Sequence, residues 1–199
     1  VETIQHPNLE VCVFNAAKEG NYESGDSYFT VVTDDYFICS VADGLGNGPI
    51  ARESSQVIPQ ILKDGHHETI DGLMHRFNKL MYQKRGAAVA IFKVDFKKKT
   101  LEYSCVGNIR FYLYRKRTDQ MIYPLPVMGY LSGRPQKLRT QTYTYEEDDL
   151  FLIHSDGVEL RSPKSMMRMA GTPGRLYQNI LTTVRTVDDA TFISGSLLK

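Results

Sequence analysis

The chain is predicted to be an α+β protein with antiparallel sheets. Two observations carry this reading. Apolar runs of strand length follow one another with no helix between them, and helical periodicity is confined to two clusters. A βαβ repeat would alternate the two patterns. Residues 11–15, 27–32 and 36–42 read as strands, and Thr33-Asp34-Asp35 as the turn that makes the last two a hairpin. Residues 50–62 read as one helix, with Pro59 able to kink or shorten it. Ile70, Leu73, Met74, Phe77, Leu80 and Met81 keep the i, i+3, i+4, i+7 spacing of an amphipathic helix. Strands are expected again at 88–96, 101–106, 111–115 and 121–124. The Thr/Tyr alternation of 138–145 suggests an exposed edge strand. A buried strand at 150–154, helices at 165–169 and 175–184, and a final strand at 191–197 complete the order.

Bulk properties exclude several classes. At 199 residues one domain with a sizeable core is expected, spanning 1–199 with no sensor or regulatory domain. A net charge of +1 leaves no basic footprint for nucleic acid, and Lys97-Lys98-Lys99 reads as a solvated hairpin tip. No run approaches the roughly 20 apolar residues of a membrane span, and the N-terminus lacks a signal-peptide core. Cys12, Cys39 and Cys105 are scattered through apolar runs, fit no zinc spacing, and read as reduced thiols of a cytoplasmic protein.

The chemistry concentrates at two strand ends. Phe37-Ile38-Cys39-Ser40-Val41-Ala42 runs into Asp43-Gly44-Leu45-Gly46-Asn47-Gly48, and Leu150-Phe151-Leu152-Ile153 into His154-Ser155-Asp156-Gly157. A bare carboxylate at a buried strand end is too costly unless compensated. Asp26 in Gly25-Asp26-Ser27 and the pair Asp188-Asp189 add further acids. Each Asp-Gly alone is an ordinary turn dipeptide; the joint arrangement points to a hard cation. The glycines do not spell G-x-G-x-x-G, no Walker Lys-Ser/Thr follows, and Asp43 would repel a phosphate unless a metal intervened. With metal, Asp43 can bridge two divalent ions. Gly44, lacking a side chain, can turn its carbonyl to one of them. Asp156 and Asp188 would complete one shell, and Asp26 would hold a water of the other. All-oxygen ligation suits two ions of Mg²⁺ or Mn²⁺, a hydrolytic clamp for phosphoryl groups.

Other tempting residues have plainer readings. His66-His67 are adjacent, so they face different ways on a helix, and Asp64-Gly65 makes them a helix C-terminal loop. His154, Ser155 and Asp156 are consecutive and cannot converge as a triad; His154 reads as packed beside the acids. Tyr143 and Tyr145 suit strand packing, with partner recognition at an edge as the alternative.

The ordered set Gly25-Asp26-Ser27, Ala42-Asp43-Gly44-Leu45-Gly46-Asn47-Gly48, Gly107-Asn108-Ile109-Arg110, Ser155-Asp156-Gly157 and Asp188-Asp189-Ala190-Thr191 resembles the type-2C metal-dependent serine/threonine phosphatases, in their bacterial SpoIIE-like branch. Lys84-Arg85-Gly86-Ala87, Tyr123-Pro124-Leu125-Pro126 and Gly129-Tyr130-Leu131-Ser132-Gly133 resemble the stand-alone stressosome phosphatases within it. The resemblance implies an αββα sandwich of two antiparallel sheets flanked by helices. It implies Asp43 and Asp26 as catalytic residues and Asp26, Asp43, Gly44, Asp156 and Asp188 at the metals. Asp189 ranks below Asp188, because the first Asp of the pair matches the family ligand. The implied substrates are phosphorylated STAS-domain proteins (RsbS-like and RsbR-like) in general stress signalling. A monomer binding neither nucleic acid nor membrane is expected. A non-catalytic binding module of the same fold, or a hydrolase of small phosphoesters, are the alternatives.

Three positions depart from the wider family. Leu45 stands where many relatives place a His as proposed general acid, so water or another residue must protonate the leaving group. Asn108 replaces an Asp that some relatives use for a third metal, which argues for a weak or absent third site. The upstream phosphate-gripping Arg is missing from Asn21-Tyr22-Glu23, leaving Lys18 either as its substitute or as a solvated surface lysine.

Overall fold

The computed structural model describes residues 2–185 and 187–199. Among these residues eleven strands and five helices follow in the order β1 (Glu2–His6), β2 (Leu9–Ala16), β3 (Asp26–Val32), β4 (Tyr36–Gly44), α1 (Gly48–Ser55), α2 (Val57–Gly65), α3 (Ile70–Leu80), β5 (Ala87–Asp95), β6 (Thr100–Val106), β7 (Arg110–Arg115), β8 (Gln120–Ile122), β9 (Thr140–Thr144), β10 (Asp149–His154), α4 (Pro163–Ala170), α5 (Pro173–Leu181) and β11 (Ala190–Leu197). They form a six-stranded sheet, β1-β2-β11-β10-β7-β8, and a five-stranded sheet, β3-β4-β5-β6-β9. Every named pairing is antiparallel. The expected αββα sandwich is therefore what forms.

Side-chain alternation explains why the central strands read as continuous apolar runs. On β4, Phe37, Cys39 and Val41 point between the sheets, where they meet Phe92, Phe111, Phe151, Ile153 and Ile193. Ile38 and Ala42 point the other way, into a second cluster with Ile58, Leu62, Leu73, Met74 and Phe77 of α2 and α3. The six-stranded sheet does the same with α4 and α5, through Leu150, Leu152, Phe192, Met167, Leu176 and Ile180. Both faces of each sheet are covered, so neither face of the central strands needs polar residues. No helix among the described residues is long and apolar enough to cross a membrane.

Two expectations are corrected. The helix expected over 50–62 is two helices, broken at Gln56. Pro59 shortens it, the second of the two effects expected of that residue; it sits in the first turn of α2, where a missing N–H costs nothing. Its ring would collide with the carbonyl four residues back, Ser55, in a continuous helix, and Ser27 Oγ donates to that carbonyl at 2.7 Å instead. Strand β1 has no counterpart in the expected order, because Glu2, Thr3 and Gln5 give a polar edge with no apolar run to announce it. The expected edge strand is β9, with Tyr145 just beyond it buried in the inter-sheet core. His66 caps α2 and its carbonyl accepts from Lys93 Nζ at 3.1 Å, as a helix-end residue should.

Candidate metal centre

Four chain stretches reach one end of the sandwich. In the five-stranded sheet β3 begins at Asp26 and β4 closes at Asp43-Gly44, and the antiparallel register sets Asp26 directly opposite Asp43. In the other sheet β10 ends at His154, opposite Phe192 near the start of β11. The turns carrying Asp156 and Asp188 therefore emerge together. A hydrogen-bond network ties the sheets across this end. Asp26 Oδ2 accepts from Ser155 Oγ at 2.6 Å and from Thr191 Oγ1 at 2.8 Å. Thr191 N donates to Ser155 Oγ at 2.9 Å, and Asn15 Nδ2 to Thr191 Oγ1 at 2.8 Å. These incoming bonds leave each hydroxyl proton free to point at Asp26. One oxygen of a 1 % exposed carboxylate is thereby fixed, and the other is left for whatever lies toward Asp43.

The electrostatics are those of crowded like charges. Burial raises Asp43 to about 8, and the charges of Asp26, Asp156 and Asp188 push the same way. Burial raises Asp26 to about 6, against the two hydroxyl bonds that lower it. Asp156 is raised by partial burial and then by Asp188. Among the described residues none of Asp26, Asp43, Asp156 and Asp188 enters an ion pair. The acids are gathered but not clenched. Among the described residues no three His, Cys, Asp or Glu side chains close on one point as a ready ligand shell. Mg²⁺-like ions keep several waters and take few carboxylates directly, so an open all-oxygen set fits such ions, while the absence of sulfur and imidazole donors disfavours zinc.

The glycines beside the acids have a reason that sequence reasoning missed. A Cβ on Gly44 would stand 1.8 Å from the Ala51 carbonyl oxygen of α1, and one on Gly157 would stand 2.0 Å from the Asp189 carbonyl oxygen. Neither has a positive φ. Both are glycine because another backbone occupies the place of a side chain. Gly25 is similar: its Cβ would lie 2.8 Å from both Ala51 Cβ and Asp189 Oδ2. Gly46 differs, with φ +111° and room for a Cβ at ordinary contact distance from Ile50 and Arg85, and makes the sharp turn expected of this loop.

Asp188 and Asp189 part company. Asp189 is buried, and its two oxygens accept from Lys18 N at 3.0 Å and Gly25 N at 2.9 Å. It clasps the 18–25 loop to the start of β11. Asp188 stays exposed and faces Asp43 and Asp156 electrostatically. Lys18 Nζ donates to Asn47 Oδ1 of the glycine-rich loop at 2.9 Å, in an exposed hydrogen bond. Asn108 Nδ2 donates to Asp156 Oδ2 at 2.8 Å and so orients that carboxylate. His154 is buried, its Nδ1 against the Ser155 carbonyl at 2.8 Å, and burial lowers it to about 4. Ser155, Thr191, Asn15 and Asn108 are the residues to which sequence reasoning gave no positioning role. For Ser155, Thr191 and Asn15 the signal was polarity at otherwise apolar strand ends; Asn108, in the turn between β6 and β7, carried none.

An α+β sandwich with acids gathered at one end, which among the described residues enter no ion pair, has the architecture of a metal-dependent hydrolase. Comparison places the chain within a family: a family model described as stage II sporulation protein E (SpoIIE) matches residues 33–193, and the chain belongs to that family. It is 36 % identical over 198 residues to "Phosphoserine phosphatase RsbX" of Bacillus subtilis (strain 168), covering 99 % of each chain. Its fold superposes on a crystal structure of RsbX in complex with magnesium with a TM-score of 0.95, at 36 % identity and 98 % coverage of both chains. A chain solved in work on the bacterial stressosome as a modular system for secondary messenger signalling gives 0.84, at 27 % identity, covering 94 % of this chain and 98 % of that one.

Proposed function

We propose that the chain is a cytoplasmic protein phosphatase that removes phosphate from serine or threonine with two divalent ions, Mn²⁺ or Mg²⁺. The observation that carries it is the face-to-face pair Asp26 and Asp43, joined electrostatically by Asp156 and Asp188 and, among the described residues, in no ion pair. The likeness to a phosphoserine phosphatase solved with magnesium supports it. Asp43, the Gly44 carbonyl, Asp156 and Asp188 would hold the ions directly, and Asp26 through water. Such ions supply an activated water and offset charge on the phosphoryl oxygens. The chain's own part is positioning. Ser155 and Thr191 fix Asp26, Asn108 fixes Asp156, and the close packing at Gly44 and Gly157 holds the acid turns on rigid strand ends. Asp189, with its oxygens committed to backbone amides, serves this reading as a loop clasp and not as a ligand.

Residues 1–199 act in this reading as one phosphatase domain, a monomer whose substrates are phosphorylated STAS-domain proteins of the RsbS-like and RsbR-like kinds. The stressosome likeness supports the pathway. The test is phosphate release from a phosphorylated STAS-domain protein with Mn²⁺, with EDTA, and by Asp43→Asn. Release with metal, and none in the other two, is expected; full activity in EDTA sinks the metal chemistry. Anomalous scattering at the manganese edge then counts the ions and shows which of Asp26, Asp43, Asp156, Asp188 and Asp189 reach them.

A further inference from the structure

Beside the acid cluster lies a surface that meets it at Asn108. A groove of about 400 Å³ opens next to Leu45 and Asn108 and is lined further by Arg110, Tyr123, Met128 and Tyr130. At Tyr130 it runs into a hollow of about 310 Å³ walled by Tyr82, Arg85 and Arg134. The divide between them is the loop 123–134, and this loop is pinned. Val127 N donates to the Cys105 carbonyl and Gly107 N to the Val127 carbonyl, both at 2.9 Å. Ala87 and Leu131 exchange both backbone bonds, at 3.0 and 2.9 Å. Asn78 of α3 accepts from Ser132 N and Gly133 N and donates to the Arg134 carbonyl at 2.8 Å. Tyr123 stacks on Tyr112 at 5.1 Å, and Tyr112 on the buried His154.

A loop so anchored nevertheless leaves Tyr123, Met128 and Tyr130 of the groove lining exposed, Met128 by 86 %. Scattered apolar residues in water are normal, but a contiguous set around one groove marks a binding surface. Arg110 lines the groove and Arg85 and Arg134 the adjoining hollow; all three are exposed, and among the described residues none of the three is in an ion pair. Arg85 Nε lies 3.8 Å from where a Cβ on Gly46 would stand, so the basic rim touches the acid-bearing loop itself. An apolar floor, a basic rim and continuity with the acid cluster suit one occupant: an extended peptide with an apolar side chain and acidic residues.

We propose that this groove holds the residues flanking the phosphorylated side chain of a protein substrate and selects acidic flanks over basic ones. The proposal rests on the phosphatase reading above and deepens it. The probes are two fluorescein-labelled peptides, matched in length, carrying a non-hydrolysable phosphonate analogue of phosphoserine with either glutamate or lysine flanks. Binding to the Mn²⁺-loaded chain is read by anisotropy. The acidic peptide is expected to bind about tenfold tighter, a difference of about 1.4 kcal/mol. Arg85→Glu with Arg134→Glu should bring the ratio to about one, and Met128→Ala with Tyr130→Ala should weaken both peptides alike. A flank ratio within about twofold in the wild-type chain, or one that the charge reversals leave untouched, overturns the proposal. So does a dimer, seen by sedimentation, that competes with peptide and is broken by Met128→Asp, since it gives the groove to a second copy. Turnover of the matched phosphoserine peptides is read separately. Turnover without flank preference sinks the groove and spares the phosphatase; selective binding without turnover does the reverse.

Discussion

The two Asp-Gly turns look alike in sequence and stand in different surroundings. Asp43 lies inside a strand pair, opposite Asp26, and burial with three neighbouring acids raises it to about 8. Asp156 lies in a turn past the end of β10, exposed, and is steadied by Asn108. Their glycines, in contrast, do one job: each admits a foreign carbonyl oxygen where a methyl would collide. The shared dipeptide therefore reports close packing of a neighbouring backbone, and only the carboxylates differ in role. The half-buried Asp43 is fixed by the sheet; the exposed Asp156 depends on a single side-chain bond.

The widest separation between the turns should appear in activity. Asp43→Asn is expected to lower Mn²⁺-dependent kcat by about a thousandfold or more, and Asp156→Asn by about a hundredfold. Equal losses at the two positions would erase the distinction, and phosphate release by both variants measures it. Stability should show the opposite symmetry. Gly44→Ala and Gly157→Ala each insert a methyl against backbone that cannot yield, and each should cost about 3 kcal/mol or more. Gly46→Ala has space and only its φ to contend with, about 1–2 kcal/mol. Thermal unfolding of the three variants, side by side, checks the order. A Gly157→Ala chain as stable as wild type would break the common account of the two turns.

The tethers come next. Thr191→Val keeps the shape and removes one hydroxyl from Asp26; Asn108→Ala removes the bond to Asp156. Each should weaken Mn²⁺ binding about tenfold, read by calorimetric titration. A larger loss at Asn108 would follow if the exposed acid relies on its tether more than the buried one. The smallest effect is one of pH. A carboxyl raised in the folded chain stays protonated there while its unfolded counterpart ionises, so stability falls as pH rises from about 4 to about 8 through this group. In EDTA, Asp43→Asn should therefore melt at a higher temperature than wild type at pH 8 and at nearly the same temperature at pH 4. A destabilised Asn variant at pH 8 would contradict the crowding of charge.

Much of this was legible beforehand because it is periodic. Burial on both faces writes strands as apolar runs, so β4, β5 and β10 announced themselves, and α3 did so by its 3.6-residue spacing. Strand β1 is a polar edge and left no such trace. The break at Gln56 was displaced from the proline that causes it, because the ring acts on the carbonyl four residues earlier. Asp188 and Asp189 are neighbours in sequence and indistinguishable by type, yet backbone amides of a loop some 170 residues away claim only the second.

What the chain alone determined is the kind of chemistry. Acids closing apolar strands at several points of the chain point to a hard cation whatever the topology, because the cost of burying charge is local. What only the tertiary structure decided is which groups act together. The Asp26–Asp43 register, the hydroxyl tether spanning the two sheets and the carbonyls lodged against Gly44 and Gly157 join residues far apart in sequence. Contacts of that range leave no period in the sequence, since they are fixed by how two sheets pack and not by how one segment repeats.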